Sequence, residues 1–297
     1  MLSFLPKPLI GIFAVFCYIV LFVGLSIYIF AIAPVKFIVP MRGWQNHFTA
    51  WYRLTPRIWT SVSNFIMRLT TKTKWDIQVS GSFDKLKSYI VMSNHISWMD
   101  IAVVQRAINK VSPPAVYFMK QQLIWMPFVG WACWLMGFPF MRRHKKSYIA
   151  KHPEKAGQDM ATTKKSCEKY RDFPVTLVNF TEGTRRTKAK HDAQQSPYKH
   201  LLKPKSGGLA FALQVMGDQV KSFVNVTIVY PNAKLNMWDM LCGRAKAIIV
   251  YVDCLPVPAD LQGGDYRQDR DYRCRFQAWL NGVWEAKDNL IDSLLAK

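Results

Sequence analysis

The sequence predicts an α/β fold: a partly parallel central sheet flanked by helices, with an N-terminal transmembrane helix and an interfacial amphipathic helical segment before it. Three observations lead there. Residues 9–33 form a run of 25 without a charge. From residue 75 onward, short β-branched apolar runs alternate with longer helical patterns. The chain of 297 residues is 50% hydrophobic yet carries 40 Lys plus Arg against 19 Asp plus Glu, a formal charge of +21. Such apolar content excludes a disordered polybasic tail. The absence of a Gly-X-Y period, a heptad array or a repeat of roughly 20–50 residues excludes fibrous and solenoid classes.

The first element, 9–33, is long enough at about 1.5 Å per residue to cross a hydrocarbon core of roughly 30 Å. A cleaved signal peptide competes, because Ala31-Ile32-Ala33 has the form of a cleavage site. The run exceeds the usual signal core of about 7–15 residues and only Lys7 precedes it, which favours an uncleaved membrane anchor over 1–36. Lys36, Arg42, Arg53 and Arg57 follow the span, so the positive-inside rule puts the remainder in the cytoplasm. Within 37–74, Trp44, Phe48, Trp51, Tyr52, Trp59, Phe65 and Ile66 are interleaved with Arg42, Arg53, Arg57, Arg68, Lys72 and Lys74. That mixture predicts one or two helices in the headgroup region, with Pro56 breaking the segment or opening its second helix. An ordinary amphipathic helix packed on the domain has the same pattern.

Residues 75–297 form the remaining unit. Runs 75–80, 88–92, 115–119, 138–141, 175–180, 224–229 and 247–252 read as strands. Runs 98–108, 153–171, 206–216 and 270–295 read as helices. The uncharged stretch 123–141 contains Pro127, Gly130, Gly137 and Pro139, so it reads as a strand-turn-helix piece or a half-inserted surface rather than a second straight span. Six scattered Cys, without a C-x-x-C or a Cys/His ligand spacing, predict neither a disulfide framework nor a metal site, as suits a reducing cytosol.

The charge is uneven. Residues 142–205 alone carry +11, whereas 206–297 are neutral. Such a pattern asks for a polyanionic partner: nucleic acid, an anionic membrane surface or a phosphorylated substrate. Two polar clusters follow apolar strands, where the reacting groups of α/β sheets gather. In Ser93-Asn94-His95-Ile96-Ser97-Trp98-Met99-Asp100, an Asp five positions after a His can fix one imidazole nitrogen and aim the other outward for proton transfer. By itself H-x4-D also describes a structural His held by a carboxylate. In Asn179-Phe180-Thr181-Glu182-Gly183-Thr184-Arg185-Arg186, the Gly permits close backbone approach and the Arg fork suits a phosphate. A third run, 137–143, ends in Arg142 and Arg143. Together the three loops point to one phosphate-lined site.

N-H-x4-D followed by E-G-T-R resembles the glycerolipid acyltransferase family, which includes 1-acylglycerol-3-phosphate and other lysophospholipid acyltransferases. The likeness runs from about 76 to 229, and the anchor resembles that of membrane-bound bacterial members. The resemblance implies an acyltransferase catalytic domain over 75–297, in a bacterial inner (cytoplasmic) membrane and facing the cytoplasm. His95 would be the general base that deprotonates an acceptor hydroxyl, and Asp100 would orient it. Asn94, Glu182, Gly183, Thr184 and Arg185 would belong to the acceptor subsite. Arg143 matches the family's acceptor-phosphate Arg, and Lys205 with Gly207 matches its K-x-G element. The hydroxyl would attack an acyl thioester directly, and no G-x-S-x-G elbow or neighbouring Cys offers a nucleophile. Acyl-CoA or acyl-carrier protein is the implied co-substrate, with no cofactor and no metal. The implied partners are a lysophospholipid acceptor and membrane lipid. The chain departs from the family pattern at Arg142, Thr181, Arg186 and Asn225, where acidic, Pro, Ser or Thr, and Pro residues are usual. These departures spare the His/Asp pair and leave the acceptor open between lysophosphatidate, which the resemblance favours, and a lysophospholipid with a larger headgroup.

Two other classes account for +21. A membrane-tethered nucleic-acid binder predicts strongly salt-dependent binding, but no helix-turn-helix or aromatic RNA-binding signature is present and no nucleic-acid partner is expected. An idle lipid-binding scaffold would use 42–74 and 142–205 for adhesion, but would leave the two motifs without a purpose. His47, His144, His152, His191 and His200 lack a partner pattern and are assigned to surface or interface roles.

Overall fold

The structure, a computed structural model, describes residues 2, 4–126, 128–141, 158–231 and 236–296. Helix α1 (Lys7–Ile38) has a Pro in its first turn, where the missing N–H has no helical partner to lose, and continues through Pro34 past the expected end at residue 33. It is long and apolar enough to cross a membrane. Ile12, Phe16, Ile19 and Ile27 stand exposed on it, a stripe suited to lipid rather than to water.

Helices α2 (Arg42–Tyr52) and α3 (Thr55–Thr70) divide where Arg53 and Leu54 turn the chain, with a Pro in the first turn of α3. Both pack on α1. The Tyr52 hydroxyl donates to the Ile29 carbonyl (3.2 Å), the Trp44 indole to the Val35 carbonyl (2.8 Å), and the Tyr18 and Trp59 rings lie 5.9 Å apart. Trp44, Trp51 and Phe65 nevertheless remain exposed. The segment thus packs one face on the anchor and offers aromatics on another.

The main sheet contains β1 (Lys74–Ser80), β2 (Ser88–Ser93), β3 (Ala115–Tyr117), β6 (Thr176–Phe180), β7 (Val220–Val229) and β8 (Ala247–Pro256), in the spatial order β1-β8-β7-β2-β6-β3. All neighbours are parallel except β7 and β8, which run antiparallel. Every residue of β2 is buried, as a strand covered on both faces requires. Its side chains alternate: Ile90 and Met92 join Leu177, Leu209, Phe223 and Phe276 on one face, while Tyr89 and Val91 join Val103, Val224 and Ile248 on the other. Helices α8 (Ser206–Met216) and α10 (Arg270–Leu295) cover the first face, and α4 (Asp100–Ile108) the second.

Several elements differ from the sequence reading. The expected strand 115–119 splits after β3: Phe118 turns onto Phe211 (5.7 Å), and β4 (Met119–Lys120) pairs with β5 (Phe140–Met141) in a separate two-stranded sheet. Helix α4 starts at Asp100 rather than residue 98, because that carboxylate ties down the amides of Ile96 and Ser97 in the preceding turn. Strands β7 and β8 pair over Ser222–Val229, which extends both beyond their expected bounds. Helix α6 (Gln158–Cys167) occupies part of the expected helix 153–171; residues 142–157 lie outside the described residues. Helices α7 (Lys188–Gln194) and α9 (Met237–Leu241) were not anticipated.

The uncharged stretch 123–141 holds a 3-10 turn (Gln121–Trp125) and α5 (Val129–Leu135). It lies along α1, with Phe37 and Trp134 rings 6.1 Å apart and Phe30 and Phe128 rings 6.4 Å apart. Trp125, at 80% exposure, leads an aromatic surface with Phe128, Trp131 and Trp134. Between this piece and α1 is an apolar cavity of about 320 Å³ lined by Phe30, Ile124, Trp125, Trp131, Trp134 and Leu135.

Candidate active site

Strands β2, β6 and β7 run in one direction, so their carboxyl ends open onto one rim of the sheet. The loop after β2 begins with Asn94, which is wholly buried. Its amide donates to the Ile228 carbonyl and accepts from the Ile228 N–H, both at 2.9 Å, and so fastens the loop to β7. His95 follows, its side chain 14% exposed, with Nδ1 2.7 Å from Asp100 Oδ2. The same oxygen accepts from the Ile96 N–H (2.6 Å) and the Ser97 N–H (2.8 Å), and Tyr230 donates its hydroxyl to Oδ1 at 2.6 Å. An oxygen already taking two amide donors acts as acceptor toward the ring, so Nδ1 bears the hydrogen and Nε2 is left as the basic nitrogen. Burial and the neighbouring Asp100 carboxylate hold the Tyr230 hydroxyl well above the usual tyrosine range, keeping it a donor. Phe180, at the end of β6, stacks on the imidazole with centroids 4.1 Å apart and planes 19° apart.

The E-G-T-R loop lies beside this pair. The Thr181 N–H donates to the Ser93 carbonyl (3.0 Å) and the Arg186 N–H to the His95 carbonyl (2.7 Å), so the loops after β2 and β6 are joined through backbone. Gly183 adopts φ +70°, and a Cβ there would meet Lys205 Cδ at 3.3 Å and Nζ at 3.4 Å. The glycine therefore both takes the left-handed turn and lets the Lys205 ammonium lie over the loop. The Arg185 guanidinium rests 4.6 Å from the Trp98 ring centre, and Thr184 Oγ1 accepts from Lys190 Nζ at 2.6 Å. Arg185, Lys190 and Lys205 make this rim cationic.

The structure thus brings His95, Asp100, Asn94, Gly183, Thr184, Arg185 and Lys205 to one rim; Arg143 lies outside the described residues. Glu182 is placed differently from an acceptor contact. It is 0% exposed beneath the loop, where Oε1 accepts from the Leu202 N–H at 3.4 Å. Burial raises its carboxyl to about 8, against lowering by the Leu202 amide and the Lys287 charge. Lys287, on α10, is its opposite: 1% exposed and lowered to about 7 by burial, with Glu182 acting to raise it.

Sequence reasoning did not single out Tyr230, Phe180 or Lys287 as site residues. Tyr230 follows β7 but bonds a residue 130 positions away. Lys287 did leave a trace: it interrupts the buried stripe Tyr272, Phe276, Leu280, Trp284 and Ile291 at helical spacing, where an aliphatic residue was due.

The chain is similar to several known proteins. A family model described as acyltransferase matches residues 76–231. The 1-acyl-sn-glycerol-3-phosphate acyltransferase 2 of Brassica napus is 26% identical over 228 residues, covering 70% of this chain and 52% of that protein. A Mus musculus protein, 1-acyl-sn-glycerol-3-phosphate acyltransferase delta, is 26% identical over 57% of this chain and 42% of its own length. The 2-acyl-1-lysophosphatidylinositol acyltransferase of Saccharomyces cerevisiae is 26% identical over 53% and 43%. The chain spans about half the length of the curated relatives it matches. Among solved structures, the 1-acyl-sn-glycerophosphate acyltransferase PlsC of Thermotoga maritima aligns over 98% of this chain and 95% of its own, at a TM-score of 0.48 and 17% identity. The matched family region takes in His95, Asp100, Glu182, Arg185, Lys205 and Tyr230, and it covers more than half of the sequence. The chain belongs to the acyltransferase family.

Proposed function

We propose that the protein esterifies the free hydroxyl of lysophosphatidate, drawing a fatty acyl group from acyl-CoA or an acyl-carrier protein at a membrane surface. The observation that carries this reading is the His95 Nδ1–Asp100 Oδ2 contact of 2.7 Å at a strand end lined with cations. Nε2 takes the proton of the acceptor hydroxyl, and the oxygen attacks the thioester carbonyl. The new C–O bond forms as the C–S bond breaks, and the imidazolium returns its proton to the departing thiolate. Asp100 stabilises the imidazolium in between. Arg185 and Lys205 hold the acceptor phosphate, and Arg143 is assigned the same role on its resemblance to the family's phosphate-binding Arg.

The acceptor follows from the names of the plant and mouse relatives. The yeast relative, named for a lysophosphatidylinositol, supports a second reading with a larger headgroup. For location, α1 anchors the protein in a bacterial inner membrane, with Lys36, Arg42, Arg53 and Arg57 on the cytoplasmic side. The Trp125, Phe128, Trp131 and Trp134 surface lies in the same lipid.

The test offers purified protein a panel of lysolipids with oleoyl-CoA or oleoyl-acyl-carrier protein and identifies the products by mass spectrometry. Phosphatidate as the main product supports lysophosphatidate as acceptor; another phospholipid selects the second reading. His95→Ala, folded and membrane-bound, is expected to lose acyl transfer, and near-normal turnover would overturn the mechanism.

A further inference from the structure

Lys190 stands in the first turn of α7, where a cation works against the helix dipole. Its place is set by Thr187, whose hydroxyl accepts from the Lys190 N–H at 3.3 Å and caps the helix. Helical side chains lean toward the amino end, so the Lys190 side chain runs back over the E-G-T-R loop that precedes it. There Nζ donates to Thr184 Oγ1 at 2.6 Å and to the Arg185 carbonyl at 3.1 Å. The peptide between Arg185 and Arg186 is thereby held at both polar atoms. Its carbonyl accepts from Lys190, and its N–H donates to the His95 carbonyl at 2.7 Å. The Arg185 guanidinium is held in turn over the Trp98 ring. One lysine thus ties the Arg-bearing loop to the backbone of His95.

The same contact decides how Thr184 works. An ammonium has donors and no acceptor, so Thr184 Oγ1 takes a Lys190 hydrogen and keeps its own to give. We infer that Lys190 is a positioning residue of the acceptor subsite: it fixes the Arg185–Arg186 peptide and leaves the Thr184 hydroxyl to donate to the acceptor phosphate. Helix stability does not account for a cation here, since the dipole favours an acidic side chain in this turn. A diffuse attraction for anions does not account for it either, because the ammonium is spent on two loop oxygens rather than on solvent. Lys188, exposed in the same turn, carries an equal charge and is the natural control.

The inference rests on the lysophosphatidate reading, and its test separates the two. Full-length wild type, Lys190→Met, Thr184→Val, the double variant and Lys188→Met are assayed with 1-oleoyl-lysophosphatidate and oleoyl-CoA. Amide hydrogen exchange at Arg186 is followed in parallel, with β8 as reference. Lys190→Met and Thr184→Val should each raise acceptor KM about 10-fold or more, as loss of a charged hydrogen bond to phosphate implies. Donor KM should stay within about threefold and kcat within about fivefold, which marks a loss of acceptor binding. Both variants act through one hydroxyl, so the double variant should be no more than about threefold worse than the poorer single. Arg186 exchange should accelerate about fivefold or more in Lys190→Met, because its neighbouring carbonyl is freed, while β8 is unchanged. Lys188→Met should leave acceptor KM within about twofold of wild type, as a solvated charge does. An acceptor KM near wild type in folded Lys190→Met, an equal rise in Lys188→Met, losses that multiply in the double variant, or unchanged Arg186 exchange would each overturn the proposal. If Lys190→Met does not fold, Lys190→Ala, which suits a helix, is held to the same outcomes. If wild type is inert on lysophosphatidate, that acceptor is wrong, and the Arg186 exchange still decides whether Lys190 holds the loop.

Discussion

Asp100→Asn isolates the charge at the His95 site from the geometry around it. One carboxylate oxygen of Asp100 takes His95 Nδ1, the Ile96 N–H and the Ser97 N–H, while the other takes the Tyr230 hydroxyl. Asn offers one oxygen, and the two backbone donors, which cannot reverse, select that oxygen for the shared position. The His95 hydrogen then stays on Nδ1, and Tyr230 turns its hydroxyl to accept from the amide. What disappears is the attraction between carboxylate and imidazolium. At a separation of about 4 Å and an effective dielectric constant of about 20, that attraction is about 4 kcal/mol. At about 1.4 kcal/mol per tenfold change, kcat should fall on the order of 10³. The assay follows thiol release from oleoyl-CoA in nanodiscs containing lysophosphatidate, with circular dichroism and thermal melting as controls. The Asn variant is expected to melt close to wild type. Asp100→Ala leaves several buried donors without an acceptor, at roughly 1–3 kcal/mol each, and should lose both fold stability and activity. A folded Asn variant within fivefold of wild-type kcat would refute the assignment of imidazolium stabilisation to Asp100.

Three further outcomes follow from the site. Gly183→Ala places a Cβ at φ +70° and against Lys205, so about 1–2 kcal/mol of stability should be lost along with a rise in acceptor KM, read by melting and by kinetics. Arg185→Ala should raise acceptor KM roughly 10- to 100-fold, matching one charged hydrogen bond of about 1.5–3 kcal/mol, with donor KM unchanged; equal effects on both substrates would count against a phosphate role. The Glu182→Gln/Lys287→Met variant gives a pH test. The raised carboxyl of Glu182 favours the fold below its ordinary value of 4.5 and loses that contribution as pH rises through about 8. The lowered ammonium of Lys287 favours the fold above 10.5 and loses its contribution as pH falls through about 7. The two penalties overlap most between about 7 and 8, so the stability of the neutral double variant relative to wild type should peak there and decline on either side.

The His/Asp pair was legible because its chemistry is local: five positions and one strand-to-helix turn bring His95 to Asp100. The Arg185 loop was legible for the same reason, and α1 by length and composition. Other features depend on long-range packing. The reversal of β8 against β7 leaves no mark in either strand, since apolar β-branched runs look alike in both directions. Strand 115–119 split because Phe118 found a partner 93 residues away on α8, which no local propensity encodes. Glu182 was read as an acceptor contact by resemblance, yet its carboxylate faces inward, where Oε1 takes the Leu202 N–H. A Lys on an apolar stripe normally implies a frayed or exposed turn; only the sheet beneath α10 shows that its head is among carbonyls.

The turn between β1 and β2 has a practical use that follows from strand direction. Because β1 runs against β2, the chain after Ser80 heads toward the rim where β2 begins, with Phe83 and Asp84 beside Tyr89, away from the rim that holds His95. Within 81–87, Phe83 packs on the core and Gly81 lies against Cys254, but Lys85, Leu86 and Lys87 are exposed, Leu86 at 82%. An epitope or protease site inserted beside Leu86 should therefore leave turnover intact. Cleavage of that insertion in sealed vesicles of known orientation would reveal on which side of the bilayer the catalytic domain lies.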